Sequence, residues 1–181
     1  MMTDTKHDAL MEIGKNSLSC LRDMVAALNV DYYRLEALEI EMEDACTGQS
    51  KNNVWGKEWL QETADDNRHT MQDGAQELLD LRAAAGDCKD RDEAEQRIHE
   101  DPLSIEFRSG WETDRSELAT PAEARILLST GGPAVQIIVE LDRGEPTRAV
   151  LQVQDWGTPW TDYYEPGISD TLMAYVACFF E

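Results

Sequence analysis

The chain has 181 residues, with 37 Asp and Glu against 16 Lys and Arg, which gives a formal charge of −21. That length suits roughly one domain with a proper core, and 41% apolar content with five tryptophans argues for a folded protein over an acidic tail. So negative a chain is poorly suited to a nucleic-acid backbone or an anionic membrane, since both are held by cationic groups. Basic proteins are the expected partners, with no direct nucleic acid and no membrane.

The start, MMTDTKHDALMEIGK, lacks a basic region followed by an apolar run, so no secretory signal is expected. Cys20, Cys46, Cys88 and Cys178 are isolated in sequence and read as reduced thiols of a cytoplasmic protein. From Leu10, the positions Leu10, Leu18, Leu21, Met24, Val25 and Leu28 share one side of a helix. Asn29-Val30-Asp31 breaks it, and Asp31 is a suitable N-cap for a second helix. That helix would turn Tyr32, Leu35, Leu38 and Met42 inward, with Glu36, Glu41, Glu43 and Asp44 outward. Residues 48–53 read as a loop. A third helical stretch, about 55–85, has amphipathic ends but a polar middle, QETADDNRHT, whose state the pattern leaves open. Two long amphipathic helices followed by a polar stretch predict an acidic antiparallel helical hairpin, an arm whose exposed end is a natural place for a homodimer contact. Gly86-Asp87 stops it, and Asp90 or Asp92 caps a short fourth helix ending before Pro102.

After Pro102 the texture changes. Residues 103–108 alternate apolar and polar, as a half-buried strand does. The apolar runs 124–128 and 135–141 flank Ser129-Thr130-Gly131-Gly132-Pro133, which reads as a hairpin turn. A second turn at 142–146 leads to a fourth strand, 149–153. After an aromatic loop, Ser169 or Asp170 would cap a closing helix over 171–180, too short to span a bilayer. The expected fold is α+β: N-terminal helices over 1–101, then a four-stranded antiparallel sheet with a C-terminal helix over 102–181.

Patterns for reaction chemistry are absent. His7, His69 and His99 have no ligand partner at metal-site spacing, so no metal is expected. Gly131-Gly132 runs into Pro133 and a strand, where a phosphate cradle would need free N–H groups and a helix. No nucleophile elbow exists. The reading is a non-enzyme without cofactors, and Asp155 is the best single residue for any catalytic alternative.

Two features could bind a partner. One is the loop 155–165, where Asp155, Trp156, Trp160, Tyr163 and Tyr164 could form a cation cage or a protein hot spot. The plainer reading has the two tryptophans plug the sheet's core while the tyrosines rim it. The other is a carboxylate array: Glu36, Glu41, Glu43, Asp44, Glu58, Glu62, Asp65, Asp66, Asp73, Glu77 and Asp80. Carboxylates one helical turn apart are separated by about 6 Å, and a DNA strand carries a charge about every 3.4 Å of axis. Two helical rows can therefore approximate a phosphate backbone and enter a basic groove. Ordinary solubility is the competing explanation, although self-repulsion at this charge has a stability cost.

The C-terminal half resembles uncharacterised acidic proteins encoded by tailed phages and prophages. The resemblance is carried by Asp101-Pro102-Leu103-Ser104, by Arg108-Ser109-Gly110-Trp111, and by the run Ile126 to Val135 with its LSTGGPAV core. It continues in QDWGTPWT, residues 154–161, and in the aromatic helix from Ala174 to Phe180. It covers about 80 residues well and the helical half more loosely. It implies a phage product in the bacterial cytoplasm, where small acidic proteins often inhibit host defences. The expected function is therefore an anti-CRISPR or anti-restriction inhibitor that mimics nucleic acid, bound to a host protein with a basic groove. The alternative is a non-catalytic interaction module acting through the loop 155–165.

Overall fold

The computed structural model describes residues 4–47, 64–109 and 120–180, with the side chains of Asp4, 42–47 and 64–72 outside the description. In chain order the elements are α1 (Asp4–Leu28), α2 (Tyr32–Thr47), α3 (Ala64–Ala85), α4 (Arg91–Glu100), β1 (Ser104–Ser109), β2 (Pro121–Ser129), β3 (Ala134–Asp142), β4 (Glu145–Gln154), β5 (Thr161–Asp162) and α5 (Ile168–Ala177). The architecture is α+β. The sheet has five strands in the order β1-β2-β3-β4-β5, all neighbours antiparallel, where the sequence pattern predicts four. The additional strand, β5, is two residues long and lies inside the aromatic loop. No alternation can announce so short a strand; its pairing with Gln152 and Val153 defines it.

The chain packs into two compact units, one of residues 1–25 and 92–181, the other of residues 26–91. The compositional boundary at 101 and the packing boundary thus differ, because most of α1 and most of α4 go with the sheet.

In the sheet unit, strand alternation divides the residues between two faces. Ile126, Ile137, Val139, Leu151 and Val153 are fully buried on one face, while on the same face at the β1 edge Ile105 is half-buried and Phe107 exposed. Leu172, Tyr175 and Val176 of α5 are likewise buried, and α5 packs on β4. The Tyr175 hydroxyl donates to Asp101 at 2.7 Å, tying α5 to the end of α4. Burial, then that hydrogen bond, raise the pKa of this phenol well above its ordinary value. In α1, Leu10, Leu18, Leu21 and Met24 are buried as the spacing predicts, while Val25 and Leu28 are half-buried. Gly14 lies in the same stripe because the Tyr163 ring occupies the space that any Cβ would need.

The β3–β4 turn uses Arg143 (φ 55°) and Gly144 (φ 93°), the positive-φ pair that a two-residue hairpin prefers. Pro146 cannot donate to the ladder, the register shifts beside it, and the Thr147 hydroxyl donates to the Glu140 carbonyl at 3.1 Å instead. The closing helix starts earlier than the sequence suggests. Its N-cap is Gly167 (φ 79°) without a side-chain cap, so Ser169 and Asp170 fall in the first turn. A left-handed residue ends the preceding turn there, which neither Ser nor Asp adopts as readily as Gly.

In the helical unit, Asp31 does cap α2: its Oδ1 accepts from the Arg34 N–H at 3.0 Å. Leu35, Leu38, Leu78 and Ala85 form the seam between α2 and α3, with Val30, Tyr32 and Leu81 packed against it. The Arg34 guanidinium donates to both Glu77 oxygens, and Arg82 donates to Glu39, each pair 43 residues apart. A constant offset means that both helices advance in the same direction. Helices α2 and α3 are therefore a parallel pair; an antiparallel pair would keep a constant sum of residue numbers. The connection, 48–63, lies outside the described residues.

Candidate interaction surfaces

Helix α2 carries Glu36 and Glu41, and α3 carries Asp73, Glu77 and Asp80, all exposed. They do not form one uniform acidic face. Glu77 is held by Arg34 at 2.8 Å, and Glu41 lies 3.8 Å from the same guanidinium. The Arg34 hydrogen bond holds the Glu77 carboxyl below its ordinary range, and Glu77 raises the guanidinium in turn. Asp80 accepts from the neutral Gln76 amide at 2.8 Å. Among the described residues no cation pairs with Glu36, Asp73 or Asp80. Glu43 and Asp44 fall in α2, and Asp65 and Asp66 in α3, by their backbone; Glu58 and Glu62 lie outside the described residues.

The aromatic loop separates its members. A tight turn opens it: the Thr158 hydroxyl accepts from Asp155 N–H at 3.0 Å and donates to Asp155 C=O at 2.8 Å. Gly157 sits at φ 73° inside this turn, and Gln154 donates to the Thr158 carbonyl at 2.8 Å. Trp156 is consequently lifted out, 74% exposed, with its indole against Gly132 where a Cβ would overlap it. Tyr164 is 81% exposed. Tyr163, by contrast, is a core residue. Its N–H bonds to Leu151 C=O at 2.8 Å and its hydroxyl donates to Glu165 at 2.8 Å, which Arg22 of α1 also holds at 2.8 Å. The Tyr163 bond and then Arg22 lower the Glu165 pKa, while burial raises that of Tyr163. The plain reading of the loop is corrected at two positions: Tyr163 fills the core and Trp156 stands outside, because alternation from β5 points Tyr163 inward, while Tyr164 is exposed as that reading expects.

Trp160 is half-buried and lines two concavities. One, about 320 Å³, lies at the β2–β3 turn with Gly132, Asp155 and Trp156. The other, about 580 Å³, lies on the sheet face opposite the core. Across that face Arg108 pairs with Glu123 (2.7 Å), Arg125 with Glu106 (2.5 Å) and Arg148 with Glu140 (2.8 Å). Gln136 lies among them, 4% exposed, a residue that sequence reasoning passed over. Its signal was a polar residue within the apolar run Val135–Val139, which alternation assigns to the other face.

Cys20, Cys88 and Cys178 are thiols, and among the described residues no three His, Cys, Asp or Glu gather to hold a metal. No described helix is long and apolar enough to cross a membrane. No protein-family model, curated protein or solved structure matches the chain.

Proposed function

We propose that the protein inhibits a host nucleic-acid-processing complex of the anti-CRISPR or anti-restriction kind, occupying its basic groove with the carboxylates of α2 and α3. The observation that carries this reading is the surplus of exposed carboxylates on two parallel helices, within a chain of charge −21. Helices in contact lie about 8–10 Å apart, and i to i+4 carboxylates are separated by about 6 Å along each. That is close to two phosphate steps of about 3.4 Å on a DNA strand. The bacterial host and its cytoplasm rest on the resemblance of the C-terminal half to phage and prophage proteins.

The test is capture from a bacterial host lysate by the tagged chain across a salt series. The reading expects a stoichiometric partner that leaves as salt rises and that duplex DNA displaces. Joint replacement Glu36→Gln, Glu41→Gln, Asp73→Asn and Asp80→Asn should abolish capture; retention by that variant contradicts the reading. A second reading, a non-catalytic module binding through the loop, is favoured by the exposure of Trp156 and Tyr164 at 74% and 81%. It expects a salt-resistant partner lost with Trp156→Ala.

A further inference from the structure

We infer that the cavity on the open face of the sheet binds a small, uncharged, planar heterocycle that presents an N–H donor. The cavity holds about 580 Å³, within the range of small-ligand clefts. Its rim is charged but balanced, since Glu106 and Glu123 are each neutralised by an arginine on the neighbouring strand. In a chain of charge −21 that balance is local to this face, and a charged ligand would have to break a pair to enter.

The floor sets the polarity of the ligand. Gln136, Gln152 and Asp162 stand in one cross-strand row over β3, β4 and β5. Gln136 Nε2 donates to Gln152 Oε1 at 2.7 Å, and Gln152 Nε2 donates to Asp162 Oδ1 at 2.8 Å. An ionised carboxylate only accepts. Asp162 therefore fixes the orientation of Gln152, and Gln152 fixes that of Gln136. The end of this relay is Gln136 Oε1, a buried carbonyl oxygen with no partner among the described residues. Buried acceptors are nearly always satisfied, and an apolar side chain would fill this position without the penalty. The next row of the same face does so with Ile138 and Val150. An acceptor held by a relay ending in a carboxylate, polarised by it and left empty-handed, is suited to a donor from outside the chain. Trp160 and Ile138 line the same space and offer flat and apolar surface to a ring. One donor edge against Gln136 and one ring face against Trp160 define the class: a heterocyclic lactam or amine of nucleobase type. This site is separate from the carboxylates of α2 and α3, and it stands if the inhibitor reading fails.

The experiment uses the full chain, isotope-labelled, with theophylline, guanosine and caffeine as probes. Theophylline has a single N–H, and caffeine differs only by a methyl group on that nitrogen. Theophylline and guanosine should give saturable shifts of the Trp160 indole N–H and the Gln136 side-chain amide, with caffeine at least about tenfold weaker. Gln136→Met should raise Tm and make theophylline and caffeine equivalent, since it removes an unsatisfied acceptor along with the donor preference. Asp162→Asn, an exposed change that keeps the fold testable, should narrow the preference by letting both amides turn. Absence of saturable shifts with either donor probe overturns the proposal, as does equal binding of caffeine by the natural chain. So does a fall in Tm for Gln136→Met with the ligand preference intact, which assigns the amide to the fold.

Discussion

On the open face of the sheet, Glu106, Glu123 and Glu140 each meet an arginine on the neighbouring strand. On α2 and α3, Glu36, Asp73 and Asp80 meet none among the described residues, while Glu39 and Glu77 are held by Arg82 and Arg34. The two regions therefore treat the same side chain in different ways. A sheet register places partners directly opposite, so pairing is built into the ladder. Parallel helices offer only positions near their seam for cross-pairs, and carboxylates farther round the helix stay unbalanced. The arginines on α2 and α3 accordingly fasten the seam while the outer carboxylates carry the surplus. On the sheet face three arginines balance three of the four carboxylates, and the fourth, Asp162, ends a polar row that decides what can bind.

Changes in packing should have the largest effects. Ile137→Ala, at a fully buried sheet position, should cost about 2–5 kcal/mol, read as a lower Tm or denaturation midpoint. Leu38→Ala should instead weaken the α2–α3 seam and split thermal unfolding into two transitions, since residues 26–91 form their own unit. Next comes Gly14→Leu, which drives a side chain into the Tyr163 ring and should cost about 1–3 kcal/mol in the same assay.

Acid should act through Glu165. Its pKa is lowered in the folded chain by Tyr163 and Arg22, so its contribution is complete above the unfolded value and is lost as pH falls through the folded one. The natural chain should thus lose stability on acidification below the ordinary carboxylate range. Glu165→Gln should be less stable at neutral pH and show a shallower acid loss, measured as Tm against pH. The smallest effect belongs to Arg125→Gln on the open face. An exposed pair contributes about 0–1 kcal/mol, so Tm should change little.

Much of the core was legible because burial leaves a period. The α1 stripe, four strands and the Asp31 cap all follow from spacing and residue type. Strand β5 was not, since Thr161-Asp162 becomes a strand only through β4. The parallel run of α2 and α3 was not legible either, because it is set by the pairing of residues 43 apart in sequence. In the aromatic loop, residue types pointed to a binding surface, but only the inward turn of Tyr163 separates it from Trp156 and Tyr164. Gln136 was visible as a polar residue in a strand, and its meaning depends on the register that brings Gln152 and Asp162 into its row.

The most direct test compares two variants matched in charge, each binding the partner retained from host lysate across a salt series. One neutralises Glu36, Glu41, Asp73 and Asp80 on the helices; the other neutralises Glu106, Glu123, Glu140 and Asp162 on the sheet. If the exposed carboxylates of α2 and α3 hold the partner, the helical variant loses affinity and flattens the salt dependence, while the sheet variant binds as the natural chain does. Equal losses from both, or a loss confined to the sheet variant, would contradict charge mimicry by the helices.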